Sequence, residues 1–289
     1  MPDADINKIR NRTADRGFAF SRGSGPRSQE RLIGVIVSIS LNLRLANKRR
    51  FVQDSLHGSQ MRRGLCMTEP QRLSDFPDWG YLLAEYYAAY RHRSAGGSKV
   101  IRSHMKLVRE QLSRCISLGP TLNLSLPERK PVCAHLGRAL DNGEEDAMRS
   151  MVKAIDKIKD DLTWRYGYEK LPRHLTNRYA YADILSPHGP VVCENLTLGI
   201  VLFAPRTTYP AHAHHGVTES YICLSGATSE NDMGVYVPGA MIINVPKHKH
   251  SITTSDTEPA LLAYAWTGNS GDLADQNMVF SRHGGKENR

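Results

Sequence analysis

Two rhythms of apolar residues divide the chain. Between about residues 74 and 165 they recur every three to four positions, the spacing of helices with one buried face. In "DWGYLLAEYYAAYRHRS" they fall at Trp79, Leu82, Leu83, Tyr86, Tyr87 and Tyr90, with Ser74 and Asp78 as candidate caps. "GGS" at 96–98 breaks this helix. "KVIRSHMKLVREQLSRCISL" follows, with Val100, Ile101, Met105, Val108, Leu112, Cys115 and Ile116 on one face. The prolines and glycine of "GPTLNLSLPERKP" (119–131) predict a loop. "AMRSMVKAIDKIKDDLTWRYGYEKLP" predicts another amphipathic helix, ending before Pro172. From about residue 178 the apolar residues bunch instead into short β-branched or aromatic runs: "YAYADIL", "VVCENLTLGIVLFAP", "TESYICLSG", "GVYVPGAMIINVP" and "PALLAYAWTG". Gly, Pro, Asn and Asp separate them, which predicts an all-β barrel or double sheet. The fold class is therefore α+β: a helical region over 67–172, a β-barrel over 173–270, and a polar tail over 271–289.

Charge sets the first 66 residues apart. They hold 13 Lys+Arg against 5 Asp+Glu, whereas the remaining 223 hold 25 against 24. The excess that would suit nucleic acid belongs to this leader, and the nearly neutral body argues against phosphate binding. "LIGVIVSISLNL" (32–43) is too short to span a bilayer, which needs about 20 residues. The leader reads as a disordered basic arm, a targeting segment, or translation assigned from too early a start. Met67, where composition turns ordinary, favours the last. Five scattered cysteines (Cys66, Cys115, Cys133, Cys193, Cys223) with no CxxC point to a reducing cytoplasm rather than a disulfide framework.

The candidate chemistry lies in "YPAHAHHGVTESYICLSG", residues 209–226. His212 and His214 are two apart and share a face of an extended strand, as do Glu219 and Tyr221. A turn between antiparallel strands brings the pairs together. "KHKH" (247–250) adds His248 and His250 after a turn at Pro246. Imidazoles and a carboxylate converging inside a barrel suit one divalent transition metal: Zn, Fe, Mn, Ni or Co. His215 competes with His214, since a bulge would exchange them, and His248 competes with His250.

His212-x-His214, four residues, Glu219, six residues and Gly226 resemble the first motif of the cupin superfamily, and "GVYVPGAMIINVPKHKH" resembles the second. The resemblance implies a double-stranded β-helix, or jelly-roll, barrel. It assigns the later ligand to His250, placed by Pro-x-x-x-His at the start of a strand. The usual glycine before the first motif is absent: position 206 is Arg. The tyrosines bracketing the motif, Tyr209 and Tyr221, with Tyr264 and Trp266 in "LLAYAWTG" and with "DLTWRYGYEKLP", resemble the cupin-type dimethylsulfoniopropionate (DMSP) lyases of bacteria over roughly residues 70–270. Members of that family commonly have three residues between the second histidine and the glutamate; this chain has four.

The resemblance implies cleavage of DMSP, a small zwitterion, to dimethyl sulfide and acrylate. The proton to be removed is α to a carboxylate and very weakly acidic. A metal on that carboxylate stabilises the enediolate-like carbanion. Tyr221 is the first choice of base, because a phenol of pKa about 10 is acidified beside a dication. Tyr221 is also an alternative ligand of the resting metal. Tyr209 is the alternative base or a substrate-orienting donor. The sulfonium suits aromatic faces: Trp266 and Tyr264, with Trp164, Tyr166 and Tyr168 closing the mouth. Arg206 is a candidate for steering the carboxylate. The apolar stripes of the helices offer a surface for a homodimer. Two rival readings remain open here: another metal-cupin enzyme, such as a dioxygenase or isomerase, and a non-enzymatic cupin sensor.

Overall fold

A computed structural model of the protein describes residues 70–92, 97–168 and 171–275. The basic leader and residues 276–289 of the polar tail lie outside the described residues. Four helices come first: α1 (Pro77–His92), α2 (Lys99–Ser117), α3 (Leu136–Gly143) and α4 (Arg149–Ile158). Ten strands follow: β1 (Tyr179–Ser186), β2 (Val191–Val192), β3 (Thr197–Phe203), β4 (Thr208–His212), β5 (Thr218–Ser225), β6 (Thr228–Glu230), β7 (Val235–Tyr236), β8 (Met241–Asn244), β9 (His250–Thr254) and β10 (Ala260–Thr267). A last short helix, α5 (Ser270–Ala274), falls inside the expected tail and buries Leu273.

The strands form two sheets, ordered β2-β1-β3-β10-β5-β8 and β4-β9-β6-β7. Because side chains alternate across a strand, the six-stranded sheet has two faces, and both are buried. Its back face (Ala180, Ala182, Ile200, Ile222, Leu224, Ala263, Ala265) packs against Leu82, Leu83, Tyr86, Met105, Val108, Leu112 and Ile155 of the helices. Its inner face (Tyr179, Val201, Phe203, Tyr221, Leu262, Tyr264, Trp266) joins Tyr209 and Ile252 of the second sheet in a separate core inside the barrel. Burial on both faces explains the nearly unbroken apolar runs of β3 and β10. In the four-stranded sheet, β9 alternates buried and half-buried residues, with His250, Ile252 and Thr254 turned inward.

The helical reading of 147–172 ends too late. α4 stops at Ile158, and the chain then runs extended, bridging Thr163 to Glu128 and Arg165 to Tyr181. Leu162, Trp164, Tyr166 and Tyr168 alternate with polar or small residues, a period of two that a helix cannot use. α1 starts at Pro77, with Ser74 one element earlier in a 3-10 turn (Leu73–Asp75), so Ser74 does not cap it. α2 is capped by the Ser98 side chain, which accepts from the Ile101 amide at 3.3 Å. Val100, expected on its buried face, is exposed, and His104 is buried instead. The apolar stripes of the helices pack on the sheet and on each other.

Candidate metal centre

β4 ends at His212, and the chain turns through His214, His215 and Gly216 before β5 begins. Gly216 sits at φ +74°, a left-handed position, and any Cβ there would collide with the Asp272 carboxyl group of α5. This turn holds the fourth residue between His214 and Glu219. It swings His215 out to solvent and keeps His214 inside. β5 then carries Glu219 and Tyr221 on its inner face. Register places Trp266 opposite Glu219, and Tyr264 opposite Tyr221. β9 opens with His250, paired with His212 across the second sheet, and leaves His248 exposed.

His212, His214, Glu219 and His250 each offer a donor atom, and these atoms lie within 4.8 Å of one another. His212 Nδ1 is 3.0 Å from the Pro210 carbonyl, and His250 Nδ1 is 3.2 Å from the His248 carbonyl. A carbonyl only accepts, so each Nδ1 carries the hydrogen and each Nε2 turns its lone pair inward. The Trp266 indole N–H donates to Glu219 Oε1 at 2.7 Å. That leaves Glu219 Oε2 facing His250 Nε2 at 2.9 Å and His214 Nε2 at 3.6 Å. All three of these atoms are buried without a hydrogen-bond partner. Acceptors crowded together in a dry interior need a cation between them, and three imidazoles with one carboxylate are the donor set of a divalent first-row metal. The residues present therefore fit the implied ion.

Burial pushes the Glu219 carboxyl up, but His214 and His250 beside it hold it well below the usual carboxylate range. Burial, then the neighbouring His250 imidazole, which disfavours a second proton, bring His212 down to about 4, so its imidazole is neutral, the form that binds metal. Burial and the Glu219 carboxylate push the Tyr221 hydroxyl well above the ordinary phenol value.

The cavity beside these donors encloses about 360 Å³, its open mouth included, and is lined by Tyr179, Tyr209, His212, Tyr221, Tyr264 and Trp266 among others. The Tyr209 hydroxyl donates to that of Tyr168 at 2.9 Å, and its ring meets His212 edge-on at 5.0 Å. Tyr168 thus reaches the cavity's edge. Trp164, expected at the mouth, is buried among the helices, and the Tyr166 hydroxyl is used on the Thr176 carbonyl at 2.7 Å. Trp266 touches Glu219 directly, a contact that periodicity did not suggest. Arg206 is exposed, 4.0 Å from Asp256, at φ +56°, a left-handed conformation that glycine adopts more readily. Sequence reasoning passed over Asp183, an inward-facing carboxylate on β1. The alternation of Tyr179, Tyr181 and Asp183 in "YAYADIL" was the available signal.

Three imidazoles and a carboxylate gathered between the two sheets make this a β-barrel with a donor set able to hold a metal ion. The chain belongs to the DMSP lyase family, whose model matches residues 104–262. A protein of Cereibacter sphaeroides assigned the name dimethylsulfoniopropionate lyase DddL is 52% identical over 213 residues, covering 74% of this chain and 92% of that one. Two solved structures share the fold. One comes from the crystal structures of the DMSP lyases RdDddP and RnDddQII (19% identity, TM-score 0.55, 71% of this chain and 98% of that one). The other is the DMSP lyase DddQ from Ruegeria pomeroyi DSS-3 (20% identity, TM-score 0.53, 71% and 97%).

Proposed function

We propose that this chain is a metal-dependent carbon–sulfur lyase that cleaves DMSP to dimethyl sulfide and acrylate. The observation that carries the reading is the convergence of His212, His214, Glu219 and His250, with Tyr221 next to Glu219 on the same strand face. A bound divalent ion supplies Lewis-acid polarisation of the substrate carboxylate and a positive field that favours the phenolate of Tyr221. The aromatic lining excludes water and holds the substrate extended. Tyr221 takes the proton from the carbon α to the carboxylate. The electron pair of that C–H bond forms the new double bond, and the C–S pair leaves with dimethyl sulfide. Tyr209 is less suited as base, because its hydroxyl is already tied to Tyr168. Its place beside His212 suits orientation of the substrate.

Among the described residues no helix is long and apolar enough to cross a membrane. The four described cysteines are free, which supports a reducing cytoplasmic setting.

The test is headspace dimethyl sulfide from purified protein with DMSP, metal-free and reloaded with Zn, Mn, Fe, Co or Ni. Metal-dependent release, abolished by Tyr221→Phe with metal still bound, is expected. No gas with any metal refutes the lyase. Oxygen uptake that needs Fe and survives Tyr221→Phe would favour a dioxygenase.

A further inference from the structure

Asp183 is a buried acid of the six-stranded sheet's inner face, besides Glu219. It follows Tyr179 and Tyr181 at every second position of β1 and is 8% exposed. No ion pair joins it to a cation among the described residues. Burial pushes its carboxyl up, against the hydroxyls of Tyr264 and Ser186 and the more distant charges of Arg165 and His188. A carboxylate so placed is costly unless something positive answers it.

What it touches shows how. The Tyr264 hydroxyl donates to Asp183 Oδ1 at 2.6 Å. The two residues are not on neighbouring strands: Tyr264 pairs with Gly199 on β3, and Gly199 pairs with Asp183 on β1. The Tyr264 side chain therefore lies along the wall across Gly199. A Cβ at Gly199 would strike the Tyr264 hydroxyl, so glycine is what lets the Tyr264 side chain pass over β3 to reach Asp183. Tyr264 lines the cavity together with Tyr181, Tyr221 and Trp266. The short hydrogen bond of Tyr264 to a carboxylate enriches its ring in negative charge.

We propose that Asp183 is the counter-charge of the substrate's cationic end, acting through the face of Tyr264. This rests on the lyase reading and names the far half of the same site. Trp266 binds Glu219 at the metal-ligand end, and Tyr264 lies two residues earlier on β10, its ring centre 5.7 Å from that of Trp266. A three-carbon zwitterion bridges that interval with its carboxylate at the histidines and its dimethylsulfonium over Tyr264.

The experiment compares two ligands of one shape in the full, metal-loaded chain carrying Tyr221→Phe to prevent turnover. One is DMSP; the other is 4-methylpentanoate, in which a neutral CH replaces the sulfonium. Calorimetry gives both dissociation constants with and without Asp183→Asn, which keeps an acceptor for Tyr264. Asp183→Asn is expected to weaken DMSP about tenfold or more and the neutral acid less than about twofold. Tyr264→Phe, which keeps the ring and cuts the link to Asp183, should lower the same ratio by a smaller factor and stands in if Asp183→Asn does not fold. An unchanged ratio, an equal loss for both ligands, or no DMSP binding in the parent overturns the proposal. Gas release by the unmutated chain judges the lyase reading separately.

Discussion

Replacing Trp266 with Phe removes one N–H from the metal site and leaves every donor in place. The indole N–H is 2.7 Å from Glu219 Oε1, and both side chains are buried. Without it, Oε1 loses its partner where water does not compensate, and the carboxylate is free to rotate Oε2 away from the histidines. A hydrogen bond to a charged group contributes about 1.5–3 kcal/mol, which is about 10- to 150-fold in an equilibrium constant. Loss of an outer partner of a metal ligand costs about 10- to 100-fold in affinity, so the two routes agree. Competition for Zn or Co against a chromophoric chelator reads the dissociation constant, and denaturant unfolding of the metal-free protein reads the loss of packing separately. Tyr264→Phe is the control, because its hydroxyl points to Asp183 rather than to a ligand. A Trp266→Phe dissociation constant within about twofold of the unmutated protein refutes the orienting role.

His214→Ala should abolish tight metal binding while His215→Ala leaves it within about twofold, read in the same competition assay, because only His214 faces Glu219. His104 is buried with both ring nitrogens engaged, Nδ1 on Thr267 at 3.1 Å and Nε2 on Ser220 at 2.8 Å. Burial lowers its pKa from 6.5 to about 4. The unfolded chain then takes up a proton at a pH where the folded chain does not. Stability is complete above pH 6.5 and falls as pH drops towards 4, by up to about 3 kcal/mol. Urea unfolding from pH 7 to 4 should show a shallower decline in His104→Gln, and identical slopes would refute the assignment.

The inner faces of β5 and β10 were legible because alternation forces parity: Glu219 with Tyr221, and Tyr264 with Trp266. What alternation leaves open is what each side chain touches across the barrel. Trp266 accordingly read as a cation platform before the structure placed its N–H on Glu219. Choosing His214 over His215 needed Gly216 and the Asp272 carboxyl behind it, a contact with a helix 56 residues further along, inside a segment read as tail. The histidines marked β4 and the start of β9, but β6 escaped notice because its three residues, Thr228, Ser229 and Glu230, are all polar. The overextended helix at 147–172 came from following a period of 3.6 past Ile158, where the aromatic residues had already changed to a period of two.

Ser220 lies between Glu219 and Tyr221 but faces the other way, where it meets Tyr90 and His104 at 2.8 Å each. The strand that presents the chemistry is thus clamped from behind by the helices. The barrel is for this reason not a portable module. Cut free at residue 173, it would bare the back face of six strands and lose the grip that fixes its ligand strand. Grafts or truncations that treat the helical region as an accessory should yield insoluble protein, and helix and barrel should melt in one transition.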